Sequence, residues 1–348
     1  MVGRVMAVTS PSINAASGAM LLALALVWGG SFFFAEIALT ELPPLTIALH
    51  RVAWAVPVLL VVIWRLGIPV PRSWRIWGAY LVMGALNNAL PFSLIFWGQV
   101  EIESGLASIL NGTTAVFGAV VAGLCLRDEP LTANRIGGAA LGLAGVAVIM
   151  GAEALGGLDP RSLAQMAVLA GALSYALASV WARLTLAGQP PQMNALGMLT
   201  GATLLMIPVV WVVDGPPRLD LPGQVWAALL ALAVLSTALA YLLYFGILRR
   251  AGAANLMLVT LVIPPFATAL GALFLGERLA GSAWAGFALI GCGLLITDGR
   301  LVARLGARQR QKTAMPGEEE GHRRSLARPA VREEEASRAI RSGRETRD

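Results

Sequence analysis

Ten apolar runs of about 20 residues alternate along this chain with short polar breaks. They cover 18–39, 43–64, 77–98, 105–126, 133–151, 162–183, 192–213, 223–247, 252–275 and 282–301. A run of about 20 apolar residues spans the hydrocarbon core as a helix. In lipid, helices are the only open-chain way to satisfy the backbone polar groups. The breaks carry Pro, Gly and charge, as in Glu41-Leu-Pro-Pro44, Pro69-Val-Pro-Arg72, Asp128-Glu129-Pro130 and Asp214-Gly-Pro-Pro217, and these are turn signals. The pattern predicts an all-α integral membrane protein with ten transmembrane helices.

Two of the breaks repeat one another. A shift of 148 residues superposes Glu129 on Glu277, Leu131 on Leu279, Gly138 on Gly286 and Gly145 on Gly293. The copies follow spans four and nine, five spans apart, so the two halves cross the membrane in opposite senses. The expected architecture is two inverted five-helix repeats, 18–151 and 162–301, with a linker near 152–161. Internal symmetry of this kind points to a transporter whose site lies near the midplane between the halves.

Arginine placement fixes the orientation. With a cytoplasmic N-terminus (1–17), the inside receives Arg4, Arg65, Arg72, Arg75, Arg127, Arg135, Arg183, Arg249 and Arg250, and the outside only Arg161, Arg218 and Arg278. Both termini are then cytoplasmic, as in a multi-pass protein of a bacterial inner membrane. Glu129 faces the cytoplasm and Glu277 the outside. The segment 303–348, with Glu318-Glu-Glu320 and Glu333-Glu-Glu335, reads as a disordered charged tail.

Composition sharpens this picture. The chain is 57% hydrophobic and 13% charged, against roughly 25% charged in soluble domains. The net charge of +6 resides mainly in the tail. The body offers no basic face with interleaved aromatics, so nucleic acid is excluded as a partner. Cys125 and Cys292 lie in apolar runs without a CxxC neighbour and read as helix-packing residues, not as a metal site. There is no GxxxxGK[ST] loop, HExxH or GxSxG motif, so neither a self-powered pump nor a familiar hydrolase is expected, and no cofactor is called for.

Ionisable groups inside a membrane are costly and default to functional hypotheses. Arg51 stands about two turns into span two, His50 beside it and Glu36 near the end of span one. Arg51 suits a substrate carboxylate, or a charge pair with Glu36. His50 suits a proton relay. Neutral hydrogen-bonding side chains form a second set: Asn87 and Asn88 on span three, Asn111 and Thr114 on span four, Thr237 and Tyr241 on span eight, Asn255 and Thr260 on span nine. On a regular α-helix Asn87 and Asn88 point about 100° apart, so one at most faces the centre. Trp28, Ser31 and Tyr175 complete the expected cavity lining. Each of these residues is also suited to holding helices together. Glu129 and Glu277 read as turn or cap groups.

Three stretches carry a family resemblance. They are Trp28-Gly-Gly-Ser31 with Pro44 and Arg51; Asn87-Asn88-Ala-Leu-Pro91 through Trp97-Gly-Gln99 to Gly105-Leu-Ala-Ser-Ile-Leu-Asn111-Gly-Thr-Thr114; and Ile263-Pro264-Pro-Phe266 with Leu275-Gly-Glu-Arg-Leu279. Over about 18–300 the chain resembles the EamA family of the drug/metabolite transporter superfamily. The resemblance implies ten helices around a central cavity, and export or exchange of amino acids and other small metabolites without an ATPase. The family usually has a proline where Ala115 stands here, whereas span nine keeps Pro264, so Pro264 is the expected hinge. The reading is a secondary transporter embedded in lipid that moves a small molecule. A membrane-embedded enzyme or an accessory subunit is the alternative. A homodimer and proton coupling through Glu36 or His50 are left open.

Overall fold

The computed structural model describes residues 15–127, 131–150, 160–216, 218, 220–251, 256 and 259–298. Glu129, Asn255, the linker and the C-terminal tail lie outside the described residues. The described residues are helical, without a strand. Seven helices are long and apolar enough to cross a membrane: α1 (Ala15–Leu39), α2 (Pro44–Arg65), α3 (Trp74–Gly98), α4 (Ser104–Cys125), α6 (Arg161–Thr185), α7 (Pro191–Val213) and α8 (Gly223–Ile247). Among the described residues there are also three shorter apolar helices: α5 (Ala133–Met150), α9 (Val259–Leu270, extended by wider turns over Gly271–Leu275) and α10 (Gly281–Asp298).

The outer surface is apolar. Leu60, Leu204, Val212, Leu273 and Phe274 are all at least half exposed, a surface that lipid accommodates and water does not. Trp64, Trp74 and Trp211 stand out at helix ends, as in an interfacial aromatic belt. Arg65 and Arg75 lie over the rings of Trp64 and Trp74.

The packing partners repeat when the two halves are exchanged. α1 packs on α9 as α6 packs on α4; α7 packs on α3 as α2 packs on α8; α3 packs on α6 as α8 packs on α1. The pairs α5–α10, α2–α7 and α4–α9 map onto themselves. In α5–α10 the backbones nearly touch. A Cβ on Gly145 would lie 2.7 Å from the Gly286 carbonyl oxygen, one on Gly286 would lie 2.5 Å from that of Gly145, and one on Gly293 2.5 Å from that of Gly138. The glycines shared by the two repeats are thus a helix–helix contact, the close approach that small residues permit.

Several helices are interrupted for local reasons. α2 kinks at Trp54, where Pro57 supplies no N–H to the Ala53 carbonyl. α3 widens to π-turns at Ala85–Ala89, and its counterpart α8 does so at Ala231–Leu239. α4 breaks at Gly112–Thr113, where the Thr113 and Thr114 hydroxyls donate to the carbonyls of Leu110 (2.6 Å) and Asn111 (2.7 Å). Val259–Leu270 runs as one helix through the expected hinge residue Pro264 and through Pro265. The discontinuity falls on α4, which lacks the proline. Glycine and back-bonding threonines are sufficient to open that turn.

Candidate functional site

Two carboxylates fasten the second half of the chain onto helix starts of the first. Beyond α9, Gly276 takes φ +70, its N–H returns to the Gly271 carbonyl and the Glu277 N–H reaches the same carbonyl at 3.1 Å, a left-handed glycine cap on a widened last turn. That turn aims Glu277 at the start of α4. Its carboxylate accepts the Ser104 N–H (2.9 Å), the Ser104 hydroxyl (2.8 Å) and the Gly105 N–H (3.3 Å). At the end of α7, Asp214 likewise accepts the Thr46 N–H (3.0 Å) and hydroxyl (2.7 Å) at the start of α2. Each satisfies otherwise orphaned N–H groups and complements the helix dipole. Glu277→Ala is expected to cost about 1–2 kcal/mol, the range for a lost N-cap, and Asp214→Ala a similar amount. The thermal melting of purified protein in detergent measures both.

Arg51 is a buried charged side chain, 7% exposed. The π-turns of α8 hold it. Thr237 donates its hydroxyl to the Leu232 carbonyl five residues back (2.8 Å) and accepts Arg51 Nε at 3.1 Å. The Ser236 carbonyl accepts Arg51 Nη2 at 3.4 Å, while the Ser236 hydroxyl reaches the Val27 carbonyl on α1 at 2.9 Å. The guanidinium carbon stands 3.9 Å above the centre of the Phe92 ring, a favourable cation–π position. Tyr175 and Tyr241 lie close enough to interact with it electrostatically. Among the described residues no carboxylate pairs with Arg51.

Around Tyr241 the π-turns of α3 complete the cluster. Asn87 donates to the Tyr241 hydroxyl at 3.1 Å. Asn88, wholly buried, also comes up to that hydroxyl, yet neither polar atom of its amide meets hydrogen-bond geometry. The 100° separation expected of neighbouring residues does not keep the two asparagines apart, because the turn that carries them is wider than an α-turn. Tyr244 stacks obliquely on Trp28, ring centres 6.0 Å apart, and Phe92 meets Tyr175 edge-on. Arg51, Asn87, Asn88, Tyr175, Thr237 and Tyr241 are thus brought together, with Trp28 one ring away.

The other expected residues are placed elsewhere. His50 accepts the Trp54 indole N–H on Nδ1 at 3.0 Å and faces Trp226 edge-on. Glu36 does not reach Arg51; it accepts Gln99 Nε2 at 3.0 Å. The Ser31 hydroxyl is used on its own helix, donating to the Trp28 carbonyl at 2.7 Å. Asn111 and Thr114 flank the break in α4, and a Cβ at Gly112 would lie 3.7 Å from the Thr260 carbonyl of α9. Phe92 and Gln99 are not among the cavity residues expected from the sequence, although both lie in the family-like stretch that runs from Asn87 to Gln99. Their signal is the stripe Phe92, Phe96, Gln99 on α3, one helix face.

Comparisons with known proteins agree on the family. The model of the EamA-like transporter family matches twice, over residues 16–151 and 162–297. The chain is 25% identical over 280 residues to an uncharacterized transporter, YoaV, of Bacillus subtilis, covering 79% of this chain and 94% of the relative. It is 27% identical over 290 residues to a probable amino-acid metabolite efflux pump of Escherichia coli, covering 80% and 93%. It is 25% identical over 292 residues to a probable terminal-alkyne amino-acid exporter of Streptantibioticus cattleyicolor, covering 83% and 94%. A solved crystal structure shares the fold with a TM-score of 0.60 at 19% identity, covering 85% of this chain and 100% of that one. With both halves matched and apolar helices throughout, the chain belongs to the EamA-like transporter family, as a multi-pass membrane protein built from two copies of the family's domain.

Proposed function

We propose that this protein is a secondary transporter that exports small carboxylate-bearing metabolites, amino acids or their relatives, by alternating access to the cluster around Arg51. A buried guanidinium with no carboxylate partner among the described residues carries this reading. An uncompensated charge in a membrane bundle is expensive, and a substrate carboxylate supplies the missing anion with fork geometry that Arg matches. The names of the relatives support the substrate class and the outward direction.

In this reading the seven long and three short helices make ten crossings. They form two inverted repeats, 18–151 and 162–301, with both termini on the cytoplasmic side of a bacterial inner membrane. The exchange symmetry of the packing supports the inversion, since counterparts five crossings apart run in opposite senses. Pro264 on α9 and the Gly112–Thr113 break on α4 lie on helices that pack on each other and serve as the paired hinge. Asn255 and Thr260 belong to the same proposed pathway.

Reconstitution into liposomes with a panel of labelled amino acids and related carboxylates tests this. The expected result is saturable counterflow of at least one panel member, competed by carboxylates and not by the matching amides. Absence of flux above empty liposomes across the panel overturns the proposal.

A further inference from the structure

Glu36 is a further ionisable group inside the bundle, and it does not contribute to the Arg51 cluster. It lies on α1 within one of the long apolar helices and is only partly exposed. Among the described residues no cation neutralises it. Its polar contact is Gln99 of α3, itself 2% exposed. Gln99 Nε2 donates both to Glu36 Oε2 (3.0 Å) and to the Phe32 carbonyl (2.9 Å). The other end of the same carboxamide, Gln99 Oε1, is buried without a hydrogen-bond partner.

The charged groups that face Glu36 come from two further elements. They are the carboxylates of Glu277, after α9, and Glu103, before α4. Glu103 is already paired with Arg161 of α6 at 2.8 Å. Glu277 is the cap of α4, with hydrogen bonds and no cation.

A carboxamide in this position serves both forms of a carboxyl group. Its N–H accommodates the ionised form as it stands, and turning the amide over, which gives up the bond to the Phe32 carbonyl, presents its oxygen to the O–H of the neutral form. Uptake of one proton by Glu36 removes an unpaired charge from the apolar zone. It also removes a repulsion from Glu277, and so strengthens the cap that fastens α9 to the start of α4. We propose that Glu36 is a proton-binding site of the transport cycle, with Gln99 as its positioning residue and Glu277 as the neighbouring charge that senses its protonation. The site rests on the transporter reading for its role, not for its chemistry. Gln99 lies on the same stripe of α3 as Phe92 and Phe96, about 10 Å along the helix from the ring under Arg51. Proton and substrate sites therefore share one helix face.

Infrared difference spectroscopy of the full chain in lipid, titrated from alkaline to acid, tests the site without any substrate. The expected result is a protonated-carboxyl carbonyl band that titrates in the wild type and in Arg51→Gln and is lost in Glu36→Gln. Glu36→Asp keeps the band with a shifted midpoint, and Gln99→Leu shifts the midpoint without abolishing it. Identical titrations in the wild type and Glu36→Gln overturn the proposal. In proteoliposomes loaded with the amino-acid panel, an inward proton gradient is expected to stimulate efflux several-fold in the wild type. Glu36→Gln loses that stimulation and retains gradient-free counterflow. Equal stimulation in both overturns the coupling role. Absence of flux in every variant instead defeats the transporter reading, and the infrared titration still decides the proton site.

Discussion

Arg51→Gln is expected to weaken the apparent affinity for a carboxylate substrate about 100-fold while leaving the folded protein intact. Gln keeps a donor that can reach Thr237 but has no charge. A charge-assisted hydrogen bond is worth about 1.5–3 kcal/mol, and the upper value corresponds to roughly two orders of magnitude in affinity. Stability should not fall in proportion. Removing a buried cation that has no carboxylate partner among the described residues relieves a desolvation cost, which offsets the lost contacts with Thr237, Ser236 and the Phe92 ring. Counterflow over a range of substrate concentrations, with thermal melting of the same preparations, separates the two effects. Arg51→Lys should fall between, because a compact ammonium keeps the charge but loses the fork and the flat stacking on Phe92. Unchanged half-saturation in Arg51→Gln, with normal melting, would remove the carboxylate anchor from the mechanism.

The largest effect on folding is expected from Gly286→Leu. At this position even a single methyl meets the Gly145 carbonyl oxygen at 2.5 Å, and a backbone atom cannot swing aside as a side-chain tip can. Ordinary overpacking costs about 1–3 kcal/mol; forcing two helix backbones apart along α5–α10 should exceed that and abolish most monodisperse protein in detergent. Gly137→Leu is the matched control on α5, since nothing lies within 4 Å of a Cβ there. Size-exclusion yield that falls equally in both variants would show that helix propensity, and not the close approach, controls the outcome.

The helices and their duplication could be read from the chain because hydrophobic length and loop chemistry are local properties. Glu277 was legible as a turn or cap group for the same reason. Partners were not legible. Arg51 meets Thr237 across 186 residues and Asn87 meets Tyr241 across 154, and no spacing rule reaches that far. Periodicity also misleads where the helix is not α. The π-turns of α3 bring both Asn87 and Asn88 to one hydroxyl, although a constant 100° step separates them. Glu36 and Arg51 look like a pair from their short hairpin, but Gln99 takes Glu36 instead. The break in α4 was not legible either, because Gly112 and two back-bonding threonines open it with no proline to signal it.

The carboxylate caps make the order of synthesis part of the fold. Asp214 reaches Thr46 across 168 residues and Glu277 reaches Ser104 across 173. At ribosomal rates of about 5–20 residues per second, each carboxylate emerges roughly 10–30 s after the helix start it must satisfy. During that interval the N-terminal half lies in the membrane with two helix starts that only its twin can finish. A gene split at the linker would therefore yield a first half that depends on the arrival of the second, and the delay between them would become a variable of assembly.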